Sequence, residues 1–221
     1  MISFYIPEPE PKIQTVDLPF SNGSVDLTEA TGLTPYKDRV GINFEFKYFG
    51  DMINWSLMIH NLANFMHGKK LLMISDNEPG YYYVVRLEID SKKTNKKMNT
   101  IVLSGSAEPF KYSIVASHEP WLWDPFSFVS GHIVNTSDIV VDGTTTVEFE
   151  AGGMVTSPTF IVTQAGAGLA VVYNTNPPRN LPMSYTGTYR FPQIKVGGEN
   201  ASTITLVGQG MVSIAYRSKF L

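Results

Sequence analysis

Apolar residues recur at three- and four-residue spacing only once along this chain of 221 residues, at Trp55, Met58, Ile59, Leu62, Phe65 and Met66. That stripe is the mark of a single amphipathic helix. Asp51 or Asn54 can cap its start, and Gly68 stands where a glycine in the left-handed conformation would end it. Elsewhere the apolar residues either alternate with polar ones or come in short runs between Gly and Pro. One helix among many short strands predicts a mainly β protein.

The strands can be placed. Gly41–Tyr48 alternates apolar and polar with period two, as a half-buried strand does. Leu71–Ile74, Tyr81–Ile89 and Thr100–Leu103 read as three more, with Asn77–Gly80 as a turn and the lysine-rich Ser91–Lys97 as a loop. A helical stripe over a small sheet makes the first part α+β. After about Gly131 the texture changes: residues 133–221 hold ten of the 37 charged residues but ten of the 18 glycines. The runs Thr146–Glu150, Thr159–Thr163, Leu169–Tyr173, Thr203–Val207 and Met211–Tyr216 then have the rhythm of an antiparallel β-sandwich. The expected division is residues 1–138 and 139–221, with a hinge in Asn135–Gly143. The Pro7-Glu8-Pro9-Glu10-Pro11 segment must run extended, as a surface tail or as an arm that pairs with another subunit.

Composition removes several kinds of chemistry. Seventeen Lys+Arg against twenty Asp+Glu give a net charge of −3, no footprint for gripping nucleic acid or an anionic membrane. With no cysteine there is no disulfide scaffold, thiolate zinc site or cysteine nucleophile. No apolar run approaches the roughly 18 residues of a membrane span, and the N-terminus lacks a basic region followed by an apolar one. The expected product is soluble and not Sec-exported.

The candidate chemistries fail individually. His60 and His67 could share a helical face, but no carboxylate completes a metal site, and His118 and His132 stand apart. The carboxylate pairs Asp76/Glu78 and Glu148/Glu150 read as a turn and a solvated strand face. Gly-x-Ser-x-Gly is absent, and Gln164–Gly168 leads into a strand, so no helix N-terminus could hold a phosphate there. Catalytic residues, metals and cofactors are therefore all expected to be none. Lys92, Lys93, Lys96 and Lys97 form a positive cluster, read either as a solvated hairpin tip or as a nucleic-acid contact. All three tryptophans precede residue 124, so the second part lacks the usual sugar-stacking side chain; Tyr173, Tyr185 and Tyr189 are expected in the core or an interface.

A set of short segments carries a resemblance. They are Val16–Pro19 with Asp26–Glu29, Tyr36-Lys37-Asp38-Arg39, Phe44-Glu45-Phe46, Asn64–Lys69, Pro79–Tyr83 leading to Arg86, Glu108–Tyr112, and Trp121-Leu122-Trp123-Asp124-Pro125-Phe126. In order and spacing over residues 16–126 they resemble the distal tail proteins of long-tailed, non-contractile phages. The closing Val212–Arg217 and Leu221 also fit.

The resemblance implies an N-terminal α+β belt domain that closes into a homo-hexameric ring, single or as two stacked rings, with a C-terminal galectin-like antiparallel β-sandwich projecting outward. It implies a structural hub at the distal end of the virion tail, assembled in the host cytoplasm, joining the tail tube protein to a tail-tip lysin-type protein. The tape measure protein would be a further partner, DNA would pass through the channel without sequence-specific binding, and no membrane insertion is implied. Tyr36, Arg39, Lys69, Arg86, Trp121, Trp123 and Phe126 become candidates for subunit or partner interfaces, and Lys92, Lys93, Lys96 and Lys97 for the channel wall. The competing reading is a carbohydrate-binding host-adhesion module of the tail tip; this short outer domain has no room for an inserted lobe. A fold of that kind does not by itself imply sugar binding.

Overall fold

A computed structural model of the chain describes residues 3–20, 22–30, 33–119 and 135–221. It is mainly β, with antiparallel sheets and one α-helix among the described residues. Contacts group the chain into two units: Met1–Ile74, Tyr83–Lys111 and Leu221 in the first, Ser75–Tyr82 and Tyr112–Phe220 in the second.

In the first unit the period-two pattern does what it predicts. β1 (Ser3–Tyr5) is followed by a small hairpin of β2 (Thr15–Asp17) and β3 (Ser24–Asp26), then by β4 (Arg39–Lys47). Ile42 and Phe44 of β4 are buried and Phe46 packs against the same core. A short 3-10 turn (Met52–Asn54) leads into α1 (Trp55–Met66); β5 (Lys70–Ser75), β6 (Glu78–Ile89) and β7 (Thr100–Ser113) follow. The sheet order is β1-β4-β7-β6-β5, so β1 and β5 are its outer strands on this path. β4 pairs antiparallel with β7, placing Phe44 opposite Leu103 and Phe46 opposite Ile101.

The helix covers this sheet with Trp55 and Met66 buried and Met58, Ile59 and Leu62 packed against Val85, Leu87 and Leu103. Each fully buried side chain of this kind contributes about 1.5–3 kcal/mol. Phe65, read from spacing as part of the buried stripe, is instead 69% exposed. It lies on a helix flank left outside the core. Asp51 caps the 3-10 turn by accepting from the Ile53 N–H at 3.0 Å, whereas Asn54 makes no side-chain cap. Gly68 ends the helix with φ +69°, as placed from sequence. The expected Asn77–Gly80 turn sits two residues earlier, at Asp76-Asn77; Pro79 and Gly80 already belong to β6.

The second unit is built on one strand. The other elements are β8 (Ile139–Phe149), β9 (Gly152–Thr156), β10 (Thr159–Ala165), β11 (Ala170–Tyr173), β12 (Arg179–Pro182), β13 (Gly187–Arg190), β14 (Val196–Gly198), β15 (Ser202–Ala215) and β16 (Lys219–Phe220). β15 pairs with the whole of β8 through Ser202 to Val212. Its other edge takes β11 at Thr205–Val207 and β10 at Gly210–Ala215. β12 and β13 complete that sheet, β9 and β14 pair separately, and β16 pairs with β7. Phe160, Val171, Met183, Val196, Leu206, Val212 and Ile214 form the dry centre of the sandwich core.

Sequence punctuation broke β15 into two runs at Gly208-Gln209-Gly210, yet the strand is continuous. These glycines permit a close approach. A Cβ on Gly208 would lie 2.4 Å from the Gly168 backbone, and one on Gly210 would lie 2.4 Å from the Gln164 carbonyl oxygen. The Gln164–Gly168 segment, the end of β10 and the turn after it, is thus the backbone that runs close beside β15, bonded through Gly166 N–H to Gln209 O at 2.8 Å and Gln209 N–H to Ala167 O at 3.0 Å. Residues 139–143, read as part of a hinge, pair with Gly208–Val212. Thr136 is buried just before them, donating to Ile214 O at 2.6 Å and, through its N–H, to Ser117 O at 3.0 Å. Those bonds place residues 112–119 and 135–138 with the sandwich, whereas the sequence texture divided the chain at 138/139.

Candidate interaction surfaces

Among the described residues no group of three or more His, Asp or Glu side chains is placed to hold a metal ion. His60 Nε2 lies 2.9 Å from Asn64 Nδ2, and His67 Nδ1 accepts from the Ile89 N–H at 3.2 Å, so both serve the helix and its exit. Burial raises the Tyr216 phenol pKa, with the Glu150 carboxylate adding to it, and burial lowers that of the Lys219 ammonium. The chemistry worth describing is therefore that of surfaces.

Arg39 lies inside the fold, 2% exposed. Its Nε donates to Pro109 O at 3.0 Å, its Nη1 donates to Pro7 O at 2.9 Å and pairs with Glu8 Oε2 at 3.3 Å, and its guanidinium sits 5.5 Å from the Tyr83 ring centroid. The proline-rich segment is thus tied down at its start. Further along, Lys12 N–H donates to Pro35 O and Lys37 N–H to Glu10 O, while Lys37 Nζ pairs with Glu10 Oε2 at 3.0 Å. Tyr36 bridges to Pro11 and packs edge-on to Phe110, ring centroids 5.9 Å apart. The two candidates Tyr36 and Arg39 therefore brace one structure, the base of an arm spanning residues 12–35.

Lys69 and Arg86 come together at the end of α1. Lys69 Nζ donates to Asn64 O, and Arg86 Nη1 donates to Gly68 O. Cations there satisfy carbonyls left without partners and complement the helix dipole. Both side chains are exposed. Lys92, Lys93, Lys96 and Lys97 occupy the exposed turn between β6 and β7, shaped by Asp90 accepting from Lys92 and Lys93 N–H and Asn95 accepting from Lys97 N–H. Lys93 pairs with Asp90 at 3.6 Å. Trp121, Trp123 and Phe126 lie outside the described residues.

Two surfaces were missed by sequence reasoning. The first is the β2–β3 hairpin: Val16 faces Val25 across it, and Ile13, Val16, Leu18, Phe20, Val25, Leu27 and Leu33 are all exposed. Asn22-Gly23 between Val16/Leu18 and Val25/Leu27 was the available signal, since Asn-Gly flanked by alternating apolar residues marks a hairpin. The second is an open groove of about 410 Å³ on the outer flank of α1, lined by Asn54, Leu57, Met58, Asn61, Leu62 and Phe65. In the second unit Tyr185, expected in a core or interface, is 78% exposed. The Tyr189 hydroxyl donates to Tyr185 O and accepts from Tyr185 N–H, both at 2.9 Å.

No protein-family model matches the chain. No curated protein matches its sequence either. Among solved structures, the chain is similar over 99% of its length to 94% of the Dit protein (gp 19.1) of phage SPP1, with TM-score 0.56 and 14% identity. That protein is described as a paradigm of the hub adsorption apparatus in phages infecting Gram-positive bacteria. The fold of this chain, from its first sheet through its sandwich, is that of a phage tail hub protein.

Proposed function

We propose that this protein is a structural component of a phage tail, placed at its distal end as the hub of the adsorption apparatus. One observation carries the reading: the likeness to a hub protein spans both units and nearly the whole of both chains. A partial likeness could reflect one reused domain. The first unit would form the ring, with six copies around a channel, and the sandwich unit would project from it. The outer strands β1 and β5 support a ring, because cyclic symmetry can pair such edges without open-ended growth. Tube protein and tail-tip protein would dock on opposite ring faces, with the tape measure protein and then DNA in the channel. The Lys92–Lys97 turn would face that channel, where few and weak phosphate contacts suit passage better than tight binding. The role is assembly and conduction rather than catalysis.

Light scattering with negative-stain imaging tests this. Six or twelve subunits and particles with a central hole support the hub; a monomer at every concentration, alone and with tube or tip protein, refutes it. A second reading, host adhesion through a sugar, draws on the exposed Tyr185 ring. Saturable glycan binding abolished by Tyr185→Ala would favour it.

A further inference from the structure

An isolated two-stranded hairpin is at best marginally stable in water. The β2–β3 arm nevertheless exposes seven large apolar side chains and bonds chiefly to itself, its base and Thr28, which accepts from Gln14 N–H at 2.9 Å. At its tip Phe20 is fully exposed with φ +65°, a conformation that costs a bulky residue about 1–3 kcal/mol. Meanwhile its base is held by the Arg39 clamp, the Pro11–Tyr36 bridge and the Lys37–Glu10 pair. A braced base under a bare apolar blade is built to reach another molecule.

The matching surface is on the same chain. The α1 groove has apolar walls, with Leu57 59% exposed and Phe65 also exposed, and Ile53 and Phe49, which precede the helix in sequence, are exposed as well. Charge selects the pairing. Residues 12–35 carry Asp17, Asp26 and Glu29 against Lys12 alone. Between Asp51 and Asp76 there is no acidic residue, and Lys69 and Arg86 gather at the helix end; Lys70, next on β5, is already paired with Glu108 at 2.6 Å. We propose that the β2–β3 arm of one copy seats on the α1 groove of the next, apolar face to apolar face, with its carboxylates toward the cations at the helix end. Two different patches meeting in this way make a heterologous contact, which closes into a ring when the rotation allows. The inference rests on the proposed homo-oligomeric hub and specifies how its copies grip one another.

The cysteine-free chain makes the test direct. Differently tagged Leu18→Cys and Phe65→Cys single variants are co-expressed, purified as assemblies and treated with a short bis-maleimide. A covalent pair joining the two tags should dominate, several-fold above either variant alone and above Leu18→Cys with Val140→Cys, a control on the second unit. Asp17→Lys should weaken assembly several-fold, and Lys69→Glu in the same chain should restore part of it. Rings that form without the mixed pair overturn the arm-to-helix contact and leave the hub standing. A monomer under all conditions overturns both.

Discussion

The two units of this protein solve the burial problem differently. In the second, strand β15 lies between β8 on one edge and β10 and β11 on the other, and its alternate side chains fill a core of aliphatic and aromatic residues with nothing left over. Among its described large apolar residues only Val140 and Tyr185 are exposed. The first unit has a well-packed centre under α1, yet it exposes apolar side chains from Phe4 to Met98, concentrated on the arm, the helix flank and the outer strand β5. Exposed apolar side chains gathered in this way mark surfaces suited to interaction. The contrast separates a unit that buries nearly all of its large apolar side chains from one that leaves many of them uncovered.

The sharpest way to break that contrast is through the finished core. Phe160→Ala removes a side chain with no exposure, and a loss of about 3–5 kcal/mol is expected in chemical denaturation. Amide exchange on β4 and α1 should then report whether the first unit unfolds with the second. Next in size is Arg39→Ala, which strips the donors from the half-buried Pro7 and Pro109 carbonyls of the first unit and leaves a void where the guanidinium lay; about 1–3 kcal/mol is expected in all. Its signature is faster amide exchange on β1 and the arm base, with the sandwich unchanged.

Gly208→Ala adds a Cβ against the Gly168 backbone at a residue with φ +96°. About 1–3 kcal/mol should be lost from the second unit alone, and a Gly168 substitution should not add fully to it. By contrast, Leu57→Ser on the exposed helix flank should change unfolding by no more than about 0.5 kcal/mol while reducing assembly in light scattering. Equal losses of stability and assembly would place that flank in the monomer's own core.

The smallest effect is electrostatic. Hydrogen bonds from Thr28, side chain first and backbone second, lower the Asp26 carboxyl pKa below its usual 3.8. Because the folded value is the lower one, the carboxylate's contribution is present above the ordinary value and fades as pH falls through the depressed one. NMR titration should find the Asp26 pKa moving part of the way back up toward the ordinary value in Thr28→Val, which removes the hydroxyl but keeps the backbone donor.

Much of this was readable from residue order because it depends on local rules. The Trp55–Met66 helix, its glycine stop and the alternation of β4 follow from side-chain period and backbone permission, both properties of a few neighbouring residues. The errors share one cause. Pro79-Gly80 and Gly208-Gln209-Gly210 carry turn residues, and turn chemistry was read where the structure uses them inside strands. The β15 glycines are required by a neighbour forty residues away in sequence, which no local window contains. The groove was hidden for a related reason: Phe65 fits the helical stripe, and only the packing of the rest of the unit around the helix decides that it stays outside. The Asn22-Gly23 hairpin was readable and was passed over.

By itself the sequence determined the class: one helix, many strands, a charged first part and a Gly/Thr-rich second. Periodicity and punctuation are short-range, and composition reflects what a chain can bury. Only the tertiary structure decided which strands pair, that Arg39 is spent inside the fold as a clamp, and which apolar residues remain uncovered. Those outcomes depend on contacts between residues far apart in the chain, where burial is shared among elements rather than assigned to any one of them.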